Sequence, residues 1–301
     1  MLELIQPILD FKNPVAFAIP IFLVLLLVEL YLNQREKREL YKTPDALASI
    51  SMGLGSVFID IFTKAIALVA FTYLFNRFGF FSEYLSYTLL GWVLLFFFDD
   101  FTFYIHHRMS HQIRILWAAH VNHHSSQRYN LSTALRQSWA ELFYKYIWYL
   151  WLPIIGFDPI MILTQISISL IYQFWIHTQL IGKMHPVFEY LFNTPSHHRV
   201  HHAKNIVYLD RNHAGILIIW DRMFGTFQEE LEEEPVVYGI TTNIDSYNPL
   251  VIASHEFGNI WKDLSRSRSL FDKLNYLFKP PGWSHDGRSK TADEMRDEQL
   301  L

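Results

Sequence analysis

Ten of the fifteen histidines in this chain fall in two short stretches. His106, His107, His111, His120, His123 and His124 lie in HHRMSHQIRILWAAHVNHH, and His197, His198, His201 and His202 lie in HHRVHH. Neutral imidazole is the commonest metal ligand among side chains. His107 and His111 are spaced i, i+4. His120, His123 and His124 are spaced i, i+3, i+4, and His198, His201 and His202 repeat that pattern. Residues three and four apart on a helix are neighbours on one face, so each motif presents its imidazoles together. One HxxxH arises by chance on many helices. Three such motifs in one chain, two with a doubled histidine, point to a metal centre, and eight ligands suffice for two ions at four per ion. Burying so many imidazoles with nothing to take their lone pairs or protons would be costly. Ligand type alone leaves the metal open, since imidazole suits Zn, Cu, Fe and Ni. The chain has no cysteine, which excludes disulfides, cysteine-held iron–sulfur clusters, thiolate haem and thiol catalysis.

The elements that must position these residues are apolar. Residues 14–33, PVAFAIPIFLVLLLVELYLN, have the length of a spanning helix, about 20 residues, with a kink expected at Pro20. Residues 48–76 form a second span, small at first (ASISMGLGS), which favours close helix packing. Residues 84–105, YLSYTLLGWVLLFFFDDFTFYI, form a third. Residues 143–181 read as a helical hairpin, spanning or re-entrant, broken at GFDP (156–159). The expected fold is an all-α integral membrane protein of about four transmembrane helices with a helical cap that holds the histidines. The loop QREKRELYK (34–42) carries four positive charges and by the positive-inside rule is cytoplasmic. The second span then leaves the cytoplasm and the third returns, so the cap and its metal site are expected on the cytoplasmic face. The hairpin must return to that side for the two clusters to meet.

The chain reads as one domain over 1–301, without internal repeats. Its first residues, MLELIQPILDFKNP, lack the basic start of a signal peptide, so the first apolar run reads as a retained anchor. Residues 286–301 are expected to be a poorly ordered tail, and EELEEEP (229–235) a solvated surface. A net charge of −4 and a pI near 6.4 give no basic field to collect phosphates, which excludes nucleic acid as a main partner.

The motifs HxxxH, HxxHH and HxxHH resemble those of the fatty acid hydroxylase/sterol desaturase superfamily of membrane di-iron oxygenases. HRMSHQIRILWAAHVNHHSS followed by YNLSTALRQS, NTPSHHRVHH and GILIIWDRMFGTF is similar to its alkylglycerol-monooxygenase-like branch, over about residues 95–245. The resemblance implies two iron ions, with O2 as co-substrate, and hydroxylation of an apolar C–H of a lipid: an alkylglycerol, a sterol or an acyl lipid. It implies His107, His111, His120, His123, His124, His198, His201 and His202 as ligands, with His177 in FWIHTQ as a ninth. Asp100, seven residues before His107, matches a family aspartate and is expected to accept an N–H from a ligating imidazole. Asp221 and Asn212 lie in another family motif and are expected to do the same. The family's ligand set also serves desaturation. Three positions depart from the pattern. The glutamate that follows the second histidine in these relatives, implicated in handling tetrahydropterin, is Gln112 here. Gln127 replaces a second glutamate, and His213 a tyrosine. Tetrahydropterin is the implied cofactor, felt at Gln112, and electrons come from an external donor because no cytochrome b5-like HPGG stretch is present.

Other readings compete for the same residues. His106 and His197 point away from their neighbours on a helix and read as flanking, and His185, His255 and His285 as loop histidines. Asp99 is the weaker member of its pair with Asp100. Glu141 reads as an i, i+4 partner of Lys145. Arg108 and Arg199 suit lipid headgroups or salt bridges, and YKYIWYLW suits an interfacial belt. A metal transporter would place ionisable groups midway along its spans, whereas these lie at one membrane face. A histidine-based pH sensor would bind no stoichiometric metal. An enzyme acting on lipid in the membrane is the reading that uses all three motifs.

Overall fold

Asn13 starts the first helix among the described residues: its side chain accepts from Val15 N (3.1 Å), and Pro14 follows at the first helical position, where a missing N–H costs nothing. This helix, α1 (Pro14–Arg35), runs unbroken through Pro20. A computed structural model describes residues 12–299. Of the signal-peptide reading, residues 1–11 lie outside the described part, as do 300 and 301 of the tail. After α1 come α2 (Thr43–Phe78), the single turn α3 (Ser82–Leu85), α4 (Leu89–Gln112) and α5 (Arg114–His124). The chain continues through α6 (Trp151–Ile155), α7 (Pro159–Trp175), α8 (Pro186–Leu191), α9 (Pro195–His201) and α10 (Ile219–Phe224). It ends with α11 (Pro249–Arg266), α12 (Leu270–Phe278) and α13 (Ala292–Gln299). An isolated bridge between Ala203 and Tyr238 is the extent of β-structure among the described residues.

α1, α2 and α4 are long and apolar enough to cross a membrane; α7 is a shorter apolar helix. α1 and α2 keep large apolar side chains on their outer faces, Phe17 (70% exposed), Leu54 and Ile66 among them. In water each would forgo about 1.5–3 kcal/mol of burial; in lipid that penalty vanishes. The inner faces pack instead. Leu68 and Phe71 of α2, Leu95 of α4 and Met161 and Ile162 of α7 form one buried core. The small stretch in α2 serves close approach, as expected: a Cβ on Gly53 would sit 2.8 Å from the carbonyl oxygen of Leu135.

At 36 residues α2 is about 54 Å long, well beyond a hydrocarbon core of about 30 Å. Its length exceeds what a span needs, and its first turns hold the segments that follow the histidine-bearing α5. Buried Arg136 donates to Asp45 (2.6 Å) and Ser49 (3.1 Å) of α2 and to Ser125 (2.7 Å), which follows α5. The 34–42 loop lies at the same end: Arg128 and Asn130 donate to the carbonyls of Glu39 and Leu40, each at 2.7 Å.

Three boundaries differ from expectation. The third span begins at Leu89 rather than 84, where Thr88 caps α4 by accepting from Gly91 N (2.9 Å), and it carries on to Gln112, so His107 and His111 ride on the spanning helix itself. The hairpin breaks at Gly156 as expected, with Asp158 capping α7, but its first arm is a chain of short turns, Glu141–Phe143, Lys145–Tyr149 and α6. The tail expected to lack order contains α13, and its Arg296 donates to the carbonyl of Leu209 (2.6 Å).

Candidate metal centre

α4 and α5 share Ile113, an extended residue that ends one helix and begins the next. This tight corner folds α5 back so that its histidines face those of α4. α9 closes the site from the other side. It starts at Pro195 and is fixed by Glu189 of α8, which accepts from Ser196 Oγ (2.7 Å) and Thr194 Oγ1 (3.0 Å) and pairs with His197 (2.9 Å).

Nine buried histidines converge in two groups. His107, His111, His120, His124 and His201 place one nitrogen each within 4.8 Å of all the others, and His123, His177, His198 and His202 do the same. The doubled motifs are split between them. α5 sends its i, i+4 pair, His120 and His124, to the first group and His123 to the second; α9 sends His198 to the second and His201 to the first, and His202, at its C-cap, joins the second. Adjacent residues point about 100° apart on a helix, so a doubled histidine reaches two sites. The groups touch where His124 stacks on His202, ring centroids 4.5 Å apart.

Outward hydrogen bonds decide the tautomers. His107 Nδ1 donates to the carbonyl of His213 (2.7 Å), His201 Nδ1 to that of Arg211 (2.8 Å) and His177 Nδ1 to that of Gln173 (2.7 Å). A carbonyl only accepts, so each of these rings carries its proton on Nδ1 and a lone pair on Nε2. His120 Nδ1 faces the Glu141 carboxylate (3.2 Å) and His111 Nδ1 faces Asp210 (3.1 Å). Burial would raise Glu141, but the hydrogen bond from His120 and the nearby His106 and Lys145 bring it down to about 2. Burial pushes Asp210 up to about 7, against the pull of Arg296. Burial first, then the neighbouring imidazoles, drives His123, His124, His198, His201 and His202 well below the usual histidine range, which keeps them neutral.

The inward nitrogens fit metal ions. Nε2 of His107 lies 3.0 Å from Nε2 of His120, and both are lone pairs once Nδ1 of each ring is a donor. No hydrogen bond can join two acceptors; a cation between them turns the repulsion into coordination. Nε2 of His111, His201 and His202 are buried with no hydrogen-bond partner, as metal-facing atoms would be.

The expected supporting residues are differently employed. Asp100 accepts from Ile216 N (2.7 Å), Leu217 N (3.0 Å) and the Trp220 indole (2.9 Å), not from an imidazole. Asp221 accepts from His213 N and Ala214 N, each 2.8 Å, and from Thr226 Oγ1 (2.6 Å). Asn212, at φ +57°, donates to the carbonyls of His197 and Gln228. All three hold the 211–228 loop, whose carbonyls at Arg211 and His213 take the imidazole protons, so they act one bond removed. Gln112 is half-buried at the last position of α4, beside His111. His106 is buried, with its Nε2 3.7 Å from Glu141.

Four residues were not legible as site residues. Glu141 pairs with His120 rather than Lys145, because the chain around it forms 3-10 turns and the i, i+4 face does not exist; Lys145 turns to Asp60 at 4.0 Å. Asp210 sits in a left-handed turn at φ +52°, without a motif to mark it. His213 lies with its ring centroid 4.9 Å from that of His111. Glu29, buried within α1, accepts from Leu131 N (2.8 Å) and from the hydroxyls of Tyr41 and Thr178, the residue after His177. A carboxylate in a span was its signal, since such groups are functional candidates by default.

Residues 92–226, which contain every histidine of the two groups, match the model of the family "Fatty acid hydroxylase". Among the chain's relatives, the alkylglycerol monooxygenase of Homo sapiens is 39% identical over 279 residues, covering 92% of this chain and 62% of that protein. That of Xenopus tropicalis is 38% identical over 274 residues, covering 91% and 60%. The ornithine lipid hydroxylase OlsE of Rhizobium tropici is 26% identical over 146 residues, 48% of this chain and 44% of that protein. The chain thus spans about three fifths of the length of the alkylglycerol monooxygenases that it matches. No solved structure matches it. The family match covers α4 through α10, the part that builds both histidine groups, and the relatedness extends into the membrane helices before it.

Proposed function

We propose that this chain is an O2-dependent hydroxylase of membrane lipids, with one iron held by His107, His111, His120, His124 and His201 and a second by His123, His177, His198 and His202. The observation that carries this reading is the inward convergence of lone pairs whose tautomers are fixed from outside. When bound, the iron pair supplies the redox chemistry by which O2, two electrons and two protons convert a C–H to a C–OH and water. The alkylglycerol monooxygenases among the relatives favour an alkylglycerol substrate, with sterol and acyl lipids as the other candidates. Reducing equivalents come from an external donor, with tetrahydropterin as the candidate that reacts near Gln112.

The chain's own residues prepare that chemistry. Glu141, Asp210 and the carbonyls of His213, Arg211 and Gln173 orient the imidazoles and raise their basicity. Phe103 packs on the ring of His107 at 5.2 Å, and Phe98 lies deeper against Trp151 and Phe157, giving an apolar approach from the lipid side that excludes water. The histidines lie at the end of α4 where the 34–42 loop also lies, and the basic residues of that loop support a cytoplasmic placement. Clustering at one end of a span favours an enzyme over a transporter.

The test is purified protein from iron-replete cells, assayed for iron and incubated with alkylglycerols, sterols and acyl lipids, with and without tetrahydropterin. Hydroxylation adds one oxygen atom to the product mass, and desaturation removes two hydrogens. The expected result is about two irons per chain and an oxygen-bearing product; iron-free protein that consumes no O2 with any lipid overturns the reading.

A further inference from the structure

α12 presents the wrong side to solvent. Its buried residue is Tyr276, while Leu270 (73%), Phe271 (71%), Leu274 (47%) and Phe278 (59%) stand exposed. These lie at i, i+1, i+4 and i+8, one stripe along the helix. Trp261, near the end of α11, is 72% exposed as well. A soluble surface seldom offers a continuous apolar stripe without a partner.

Position and charge indicate the partner. The carbonyl of Lys279, just after α12, accepts from Arg114 N (3.1 Å), two residues beyond the end of spanning α4. α11 packs on α2 through Ile252 against Met52 and Ala48, where that helix leaves the bilayer. Both helices therefore lie at the level of the membrane boundary. The stretch 262–279 carries five basic side chains, Lys262, Arg266, Arg268, Lys273 and Lys279, against Asp263 and Asp272, in a chain of net charge −4. Asp263 is already engaged by Arg114 (2.8 Å). An apolar stripe flanked by cations is the chemistry of a helix lying in the plane of an anionic lipid surface.

We infer that α12 and the end of α11 form an in-plane membrane anchor that docks on anionic lipid through Trp261, Leu270, Phe271, Leu274 and Phe278. The anchor bears on the histidine groups through α5, with Arg114 as the polar clamp. Arg114, at the start of α5, is clamped between Glu256 (2.9 Å) and Asp263 (2.8 Å) of α11, and α5 carries His120, His123 and His124. Lipid docking thus sets the position of the helix that feeds both histidine groups.

The absence of native cysteine makes the test direct. Phe271→Cys and Leu274→Cys, each labelled with a fluorophore in full-length protein in lipid nanodiscs, are probed with a lipid-attached quencher and with a water-soluble one. Phe58→Cys on the outer face of α2 serves as the lipid standard and Glu298→Cys on α13 as the water standard. The expected result is quenching at 271 and 274 like the Phe58 standard in discs containing phosphatidylglycerol, shifting towards the water standard in pure phosphatidylcholine. Quenching like Glu298 in both lipids overturns the proposal, and so does protection from both quenchers, which would mean that protein covers the stripe. The readout needs no turnover, so it fails or stands independently of the oxygenase reading.

Discussion

The two histidine groups differ in how they are held. In the first, four of five rings are tied from outside: His111 and His120 to carboxylates, His107 and His201 to carbonyls. In the second, His177 is tied to Gln173, while Nδ1 of His198 is buried with no partner. One group of five is braced from outside with two acidic supports; the group of four carries fewer outward ties. If each group holds an ion, as proposed, the chain spends its structural constraint on one and leaves the other freer in orientation. The freer group of four would be the one with room for a further ligand.

The largest effect expected is from His124→Ala, which strikes the ring at the contact between groups. Turnover is lost and iron falls towards or below one per chain, as read by metal analysis of protein that still inserts; full iron content would remove His124 from the ligand set. Next comes the asymmetry itself. Glu141→Gln and Asp210→Asn are each expected to weaken iron retention about 10- to 100-fold, in a chelator titration that releases one ion early and one late. Uniform release of both ions would erase the distinction between the groups. Asp221→Asn is expected to cost about 1–3 kcal/mol of stability, because Asn keeps one acceptor oxygen and sets an NH2 where the other stood, so one of the buried N–H groups at His213 and Ala214 loses its acceptor and meets a donor; it should loosen the first group more than the second. An unchanged unfolding midpoint would show that the loop is held some other way.

The smallest effect concerns Glu189, beneath α9. Burial would raise it, but the hydrogen bond with His197 and those from Met184 N and Ser196 bring it down to about 2 from an ordinary 4.5. A depressed carboxylate stabilises the fold above its ordinary value and loses that contribution as pH falls towards its folded one. The thermal stability gap between the parent and Glu189→Gln is therefore expected to be widest near neutrality and to close between about pH 4.5 and 2. A gap that stays constant through that window would assign Glu189 a packing role alone.

The sequence exposed the clustered histidines more readily than the residues that brace them. The histidines repeat at helical spacing, and the spans are unbroken apolar runs, the first opening after Asn13 and the hairpin broken at GFDP, so both could be read directly, although the Thr88 cap that starts the third span could not. The supports could not, because they depend on backbone away from helices. Glu141 escaped because a 3-10 segment has no i, i+4 face, Asp210 because a left-handed turn brings it under His111, and Asp100 was assigned an imidazole when it holds a loop. The division of each doubled motif between two groups was also hidden. Spacing shows which residues share a face, whereas the 100° between neighbours decides which group each one joins.

That division has a consequence for assembly. α5 and α9 each contribute to both groups, so, on the proposed metal reading, the first ion to arrive would fix the rotation of two helices and thereby preform the second pocket. In the parent, filling is then expected to be cooperative, with one-iron chains scarce, whereas Glu141→Gln and Asp210→Asn break that coupling and let a one-iron form accumulate. Native mass spectrometry during iron titration reads this population directly, and a dominant one-iron species would show that the two sites fill as strangers.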